Sequence, residues 1–276
     1  MTNPALLHVF PSFAAGGIQM RLATLIAGLP QAWRHTVLSL NGDYGAFEGG
    51  KWPSNVARSN VTAPTSGNSF VRVFAIRKLL RASSADVLIT NNWGSMEWAM
   101  AASLGGQAAH IHTESGFGPD EAFTLNSKRN LMRRMFLRRA KAVLLCSQTL
   151  VDVARTQWHL PSNTVKFVPD GIDLKRFGAA ELEPLVFDFQ AKKSPQTIIG
   201  CVAPLRAEKN LTALLDAFDT ARKTNPNLGL AIAGDGDERA RLAAHASGLA
   251  SADHIHFCGF LSEIERFYAS IDLCAL

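Results

Sequence analysis

Hydrophobic and polar positions along the chain alternate between two periods. Residues 6–10 form a short continuous apolar run, and after Pro11-Ser12-Phe13-Ala14-Ala15-Gly16-Gly17 the residues Ile18, Leu22, Leu25, Ile26 and Leu29 recur at helical spacing. The first pattern fits a buried strand, and the second gathers its apolar side chains on one stripe of a helix. The same reading predicts strands over residues 35–40, 87–90, 110–112, 142–146 and 164–168, separated by helices over 70–81, 94–104, 128–139 and 147–158. Strands that alternate with helices build a parallel sheet covered on both faces.

Pro169-Asp170-Gly171-Ile172-Asp173 and a polar stretch as far as Pro195 then interrupt the series. A second series predicts strands over 197–203, 228–233 and 254–257 and helices over 211–218, 238–247 and 262–270, the last with Ser262 as N-cap and Glu265 at the capping-box position. The expectation is an α/β protein of two doubly wound parallel-sheet domains: residues 1–171, a connector 172–195, and a partial second domain 196–276. Ile271-Asp272-Leu273-Cys274-Ala275-Leu276 reads as one more buried strand. A doubly wound domain normally has five or six strands. The sequence is therefore expected to be a piece of a longer protein, or a truncated relative of one.

Composition narrows the classes. Of 276 residues, 47% are hydrophobic and 18% charged, which suits a globular protein and sets aside disordered, collagen-like and coiled-coil chains. No apolar run approaches the ~18–20 residues of a spanning helix, and the N-terminus lacks a leader pattern, so a cytoplasmic, unprocessed protein is expected. Cys146, Cys201, Cys258 and Cys274 are far apart with no His at ligand spacing; buried thiols are expected, without disulfides or zinc.

The net charge of +5 is uneven: residues 1–171 carry 17 Lys/Arg against 9 Asp/Glu, residues 172–276 carry 11 against 14. Lys128, Arg129, Arg133, Arg134, Arg138, Arg139 and Lys141 follow one another with no acidic residue among them. Such an excess attracts nucleic acid, an anionic membrane surface or phosphorylated substrates. Only Phe136 interleaves the cations and no nucleic-acid motif accompanies them, so no nucleic-acid partner is expected. The helix over 128–139 would carry Leu131, Met132, Met135 and Phe136 on one side and most cations on the other. Packing of that apolar stripe on the sheet is the commoner outcome, and lying on an anionic membrane the other.

Four loops carry candidate chemistry. Gly16-Gly17, between a strand and a helix, allows close backbone approach to a ligand, or is simply a tight turn; it is not the dinucleotide fingerprint. Arg206 and Lys209 sit between the first strand and first helix of the second series, where two cations suit a diphosphate, although Glu208 can pair with one of them. Gly234-Asp235-Gly236-Asp237 follows the next strand. Its Asp-x-Asp pair superficially suits a divalent cation, but acidic residues at a helix N-terminus have an ordinary reason to be there, and a glycine loop beside a nucleotide is the better reading. His110 and His112 share one strand face, and Glu114, Gly116 and Gly118 follow, which makes His112 an active-site candidate.

Taken together, Gly16-Gly17, His112-Thr113-Glu114, residues 140–147 (AKAVLLCS), residues 168–173 (VPDGID), residues 205–210 (LRAEKN), residues 233–239 (AGDGDER) and residues 257–260 (FCGF) resemble the retaining family-four glycosyltransferases of the GT-B fold, in order and spacing over essentially the whole chain. The resemblance implies two Rossmann-like domains facing across a cleft, the second binding a nucleotide diphosphate sugar and the first an acceptor. It implies that Lys209 contacts the donor diphosphate, that Gly16 and Gly17 lie near phosphate and acceptor, that His112, with Glu114 beside it, is near the donor sugar, and that Gly234 and Asp235 lie near the nucleotide. Gly259, Phe260 and Leu261 fall beside the base.

Where the family has an arginine five residues before the lysine this chain has Pro204, and Arg206 is expected to supply that charge. The family's Glu-x7-Glu segment would follow Leu276, so this chain by itself is expected to be impaired in turnover. The implied activity is hexosyl-type transfer to a glycan or lipid-linked acceptor in envelope or exopolysaccharide synthesis, with no metal or other cofactor and with peripheral contact at the inner membrane face. A nucleotide-sugar epimerase or hydrolase of the same fold, or a non-catalytic nucleotide-sugar-binding fragment, are the alternatives.

Overall fold

The computed structural model describes residues 3–49, 52–105, 107–121, 124–178, 182–189 and 195–276. The chain divides into two units, Met1–Ile172 and Asp173–Leu276, and the connector expected over 172–195 lies partly outside the described residues.

In the first unit the apolar runs become β1 (Ala5–Phe10), β2 (Arg34–Ser39), β3 (Val56–Arg58), β4 (Val87–Asn91), β5 (Ala109–Glu114), β6 (Ala142–Leu145) and β7 (Val165–Phe167). They form one sheet in the order β3-β2-β1-β4-β5-β6-β7, every pair parallel. The helices are α1 (Gly17–Ala27), α2 (Ala46–Gly49), α3 (Ser69–Ala82), α4 (Met96–Ser103), α5 (Ser127–Leu137) and α6 (Gln148–Thr156). Val9, Leu38, Leu88, Val143 and Leu145 from the strands are buried in one core with Ile76, Trp98, Leu137, Val151 and Trp158. Each such side chain contributes ~1.5–3 kcal/mol relative to exposure. Short polar side chains fix where three helices start: Asn68 accepts from the Val71 amide, Asn126 from those of Lys128 and Arg129, and Ser147 from that of Leu150.

The second unit repeats the design with α7 (Leu174–Phe177), β8 (Thr197–Val202), α8 (Leu211–Thr224), β9 (Leu228–Ala233), α9 (Arg239–Ser247), β10 (Ile255–Gly259), α10 (Ile264–Tyr268) and β11 (Leu273–Ala275). Its parallel sheet runs β10-β9-β8-β11. All six residues of β9 are buried, which is why that stretch reads as uninterrupted apolar sequence. Part of the expected connector belongs to this unit, since the Phe187 ring lies 5.6 Å from that of Phe267. In each sheet the strand order reverses beside the first strand, at β1/β4 and at β8/β11. Ligands of doubly wound sheets bind outside the carboxyl ends of strands at such points.

Several expectations are corrected. The inner face of α5 is Asn130, Arg133 and Leu137; of the apolar stripe read from the sequence Phe136 packs against the core and Met132 is half-buried, while Leu131 and Met135 face outward. Glu263, not Ser262, precedes α10, and no side chain caps that helix. β11 lies at one side of the described sheet, next to β8, with Leu273 and Cys274 exposed in this chain. Of the cysteines only Cys201 is buried; Cys146 and Cys258 are half-buried and Cys274 is exposed. Among the described residues no helix is long and apolar enough to cross a membrane.

Candidate functional site

In the second unit three loops meet at the carboxyl edge of the sheet, and glycine is what lets them meet. Gly234 has φ +138°, and a Cβ there would fall 1.9 Å from the Ala203 carbonyl oxygen; at Gly236, with φ +158°, it would fall 2.5 Å from that of Leu205. The loops after β8 and β9 therefore interlock backbone on backbone. Their hydrogen bonds close the lock: the Leu205 amide donates to Asp235 O at 3.0 Å, the Glu238 amide to Leu205 O at 3.0 Å, and the Gly234 amide to Gly259 O at 2.8 Å. The Leu205 side chain has no exposed surface and anchors the first loop in the core.

On this base Arg206 and Lys209 are exposed to solvent. The nearest carboxylate to Arg206 is Glu208, at a marginal 4.0 Å, and Lys209 has no ion pair among the described residues. An exposed pair at that distance is worth about 0–1 kcal/mol, so both cations remain free to serve an anion. The helices that follow the first two loops, α8 and α9, have no side-chain cap, which leaves their first-turn amides on the same edge. The exposed Asp235 turns its carboxylate onto its own loop, accepting from the Gly236 amide at 2.8 Å. No group of three or more potential metal-ligating side chains occurs among the described residues.

Gly259, at φ +71°, ends β10 and presents Phe260 to solvent, while Leu261 packs toward Phe267. Beneath this turn lies a group that sequence reasoning missed. Nη1 of Arg239 is buried without a hydrogen-bond partner and lies 3.6 Å from where a Gly259 Cβ would be. Arg239 was visible only as the end of the AGDGDER stretch; its position under the third loop is set by the start of α9.

In the first unit the corresponding edge is built differently. Gly94, after β4, sits against Pro11, where a Cβ would approach ring carbons to 2.7 Å, and Asn92 adopts φ +54° to make the turn. Gly16 is extended and precedes α1 without a side-chain cap, and the space beside Gly17 is open. Arg21 on α1 pairs with Asp170 and donates to Val168 O at 3.3 Å, tying the first helix to the end of the β7 segment.

His112 and Glu114, expected to face a substrate, are instead enclosed. Thr90 Oγ1 lies 2.8 Å from both His110 Nε2 and His112 Nδ1, and one hydroxyl can donate only once, so it accepts an N–H bond from at least one of the two rings. His112 Nε2 is 3.3 Å from Glu114 Oε2, which is 3.3 Å from Arg133 Nε. Arg133 in turn makes a bidentate pair with Glu121 at 3.2 and 3.1 Å. The guanidinium is 5.0 Å from the ring centroids of Trp93 and Trp158 and 5.5 Å from that of Phe117. Arg133 and His112 have no exposed surface and Glu114 has 1%.

Burial, with neighbouring His112, pushes His110 down to about 3. Burial also pushes Glu121 up, but bonds from Arg133, the Asn126 amide and Arg129 outweigh it and hold the carboxyl below its ordinary range. His112 thus has no surface open to solvent in this geometry. The network ties together the strand end from which the Ser115–Gly118 loop departs.

Comparison with known proteins gives the context. The glycosyl transferase 4-like domain matches residues 16–171, and the domain described as glycosyl transferases group 1 matches residues 185–276. A 2-deoxystreptamine glucosyltransferase of Streptomyces kanamyceticus is 25% identical over 146 residues, 51% of this chain and 38% of that protein. The match thus spans well under half of that relative. A solved glycosyltransferase from Rickettsia africae aligns with a TM-score of 0.71 at 15% identity, over 99% of this chain and 73% of the other. HepE from Anabaena, solved in complex with UDP and glucose, aligns with a TM-score of 0.71 at 16% identity, over 98% of this chain and 73% of the other. At these identities the likeness to the solved structures is one of fold.

Proposed function

The chain belongs to the glycosyltransferases with a glycosyl transferase 4-like first domain and a group 1 second domain, and from that premise we propose that the protein moves a hexosyl unit from a nucleoside diphosphate sugar to an acceptor hydroxyl with retention at the anomeric carbon. The observation that carries this reading is the pair of exposed cations, Lys209 and Arg206, on a loop locked in place by Gly234 and Gly236. UDP and UDP-glucose in the HepE structures support a nucleotide-sugar donor.

In the reaction the bond between the anomeric carbon and the diphosphate oxygen breaks, a new bond forms to the acceptor oxygen on the same face, and the acceptor proton passes to the departing diphosphate. Negative charge grows on that diphosphate, so preorganised cations at its position stabilise the transition state more than the ground state. Lys209 takes the phosphate oxygens and Arg206 shares the charge, a role in which no metal is needed. Gly234 and Asp235 line the nucleotide, while Gly259, Phe260 and Leu261 flank the base with Arg239 beneath them. Gly16 and Gly17 serve the acceptor side, and the +8 charge of residues 1–171 (17 cations less 9 anions) suits an acceptor bearing phosphate, such as a lipid-linked glycan in envelope or exopolysaccharide assembly.

The test is product analysis with a panel of nucleotide sugars, with and without acceptor. Sugar appearing on the acceptor with its anomeric configuration kept supports the reading. Nucleotide release that ignores the acceptor assigns hydrolysis instead, and donor binding without any release assigns a binding protein.

A further inference from the structure

The outward turn of α5 leaves apolar side chains without a partner, and α3 does the same on the same side of the sheet. Phe70 and Phe74 on α3 are 73% and 61% exposed, and Leu131 and Met135 on α5 are each 54% exposed. On α3 the spacing of Phe70, Phe74, Lys78 and Arg81 puts two rings and then two exposed cations along one outer stripe. On α5 Lys128, Leu131, Met135 and Arg138 do likewise, with exposed Arg134 alongside. The two helices flank α4 and share a groove of about 370 Å³ lined by Ser69 and Arg72 of α3, Met96 and Met100 of α4, and Met132 of α5.

Charge decides what such a surface suits. Neither helix contains an acidic residue. Glu97 on α4 is already bound by Arg72 at 2.6 and 2.9 Å, and Asp120 and Glu121 are bound by Arg129 and Arg133. Lys78, Arg81, Lys128, Arg134 and Arg138 have no ion pair among the described residues. A second copy of the chain would set cation against cation here. Exposed aromatic and aliphatic side chains ringed by unpaired cations match the headgroup region of an anionic bilayer, where the apolar groups enter the acyl boundary and the cations meet lipid phosphates.

We propose that the outer faces of α3 and α5 are a docking surface for an anionic lipid bilayer. The inference deepens the lipid-linked acceptor of the proposed function but stands on the surface alone, so the two fail separately. The test is cosedimentation of the chain with vesicles of phosphatidylcholine plus phosphatidylglycerol and with vesicles of phosphatidylcholine alone, across a salt series. Phe70→Asp with Phe74→Asp, and Arg134→Glu with Arg138→Glu, are compared after their melting curves confirm folding.

The expected result is binding to the anionic vesicles only, weakened by salt and by about tenfold or more in each double variant. Equal binding to both vesicles, binding to neither, or a concentration-dependent dimer abolished by the same substitutions overturns the proposal; the salt and lipid arms decide the matter even if a variant fails to fold. Vesicle binding by a chain that binds no nucleoside diphosphate or nucleotide sugar would leave the surface standing and remove the donor assignment.

Discussion

The two sheet edges treat positive charge in opposite ways. In the first unit Arg133 is sealed among Trp93, Phe117 and Trp158 and bonded to Glu114 and Glu121. In the second, Lys209 and Arg206 stand in solvent on a loop that is rigid beneath them and open above. A buried cation whose three nitrogens each donate to a carboxylate is committed to the interior, so it holds the fold. An exposed cation contributes little to the fold and keeps its charge available to an anion. The type of residue is similar; burial and the presence of a carboxylate decide which role it takes.

The largest effect is expected from breaking the buried side. Arg133→Met leaves Glu114 and Glu121 uncompensated in the interior and should cost ~3–5 kcal/mol in denaturant unfolding. Adding Glu114→Gln and Glu121→Gln should recover part of that loss, which a simple packing defect would not. On the open side, in a protein that carries the whole second domain, Lys209→Ala should lower kcat by about a hundredfold or more, ~2.7–4 kcal/mol of transition-state stabilisation, while stability stays within about 0.5 kcal/mol. A Lys209 variant that unfolds, or an Arg133 variant that loses only rate, would collapse the distinction.

A smaller effect is expected where the open loop meets its support. Gly234→Ala forces a Cβ toward the Ala203 carbonyl and should cost ~1–3 kcal/mol, with weaker nucleotide binding by calorimetry.

The gentlest effect, taken per unit of pH, is a slope that belongs to the first unit. His8 and His110 are both held down to about 3, by burial first and then by His35 and His112 respectively. The unfolded chain takes up these protons near pH 6.5, the folded chain only near 3, so the unfolded state binds more protons throughout that window. Stability is therefore fully present above the higher value and falls as pH drops toward the lower, by roughly 1 kcal/mol per pH unit for each histidine. His110→Asn should flatten this slope in melts taken across the range.

What the sequence revealed follows the same division. Strands and helices with continuous apolar runs or clear stripes, such as β1, β9 and α8, are legible because local pattern and tertiary burial agree. β3 is three residues at the sheet edge with one half-buried position, too short to carry a period. The inner face of α5 is hard to read because apolarity marks Leu131 and Met135 as strongly as Leu137, while the centre of that face is an arginine whose partners lie on β5 and in the turn after it. The only signal for it is indirect: Glu114 and Glu121 need counter-charges, and the nearest basic stretch supplies them. His112 was legible as part of a polar strand end, but its enclosure depends on Thr90 and Arg133, which lie 22 and 21 residues away in the sequence. The exposure of Arg206 and Lys209 is easier to read, since cations between a strand and a helix need no distant partner to explain them.

The most direct measurement is a crystal structure of this chain with a nucleoside diphosphate bound. The account predicts phosphate oxygens within hydrogen-bond reach of Lys209 Nζ, with Arg206 beside them and the Gly234 turn against the nucleotide. A diphosphate held elsewhere, with Lys209 directed away into solvent, would contradict it.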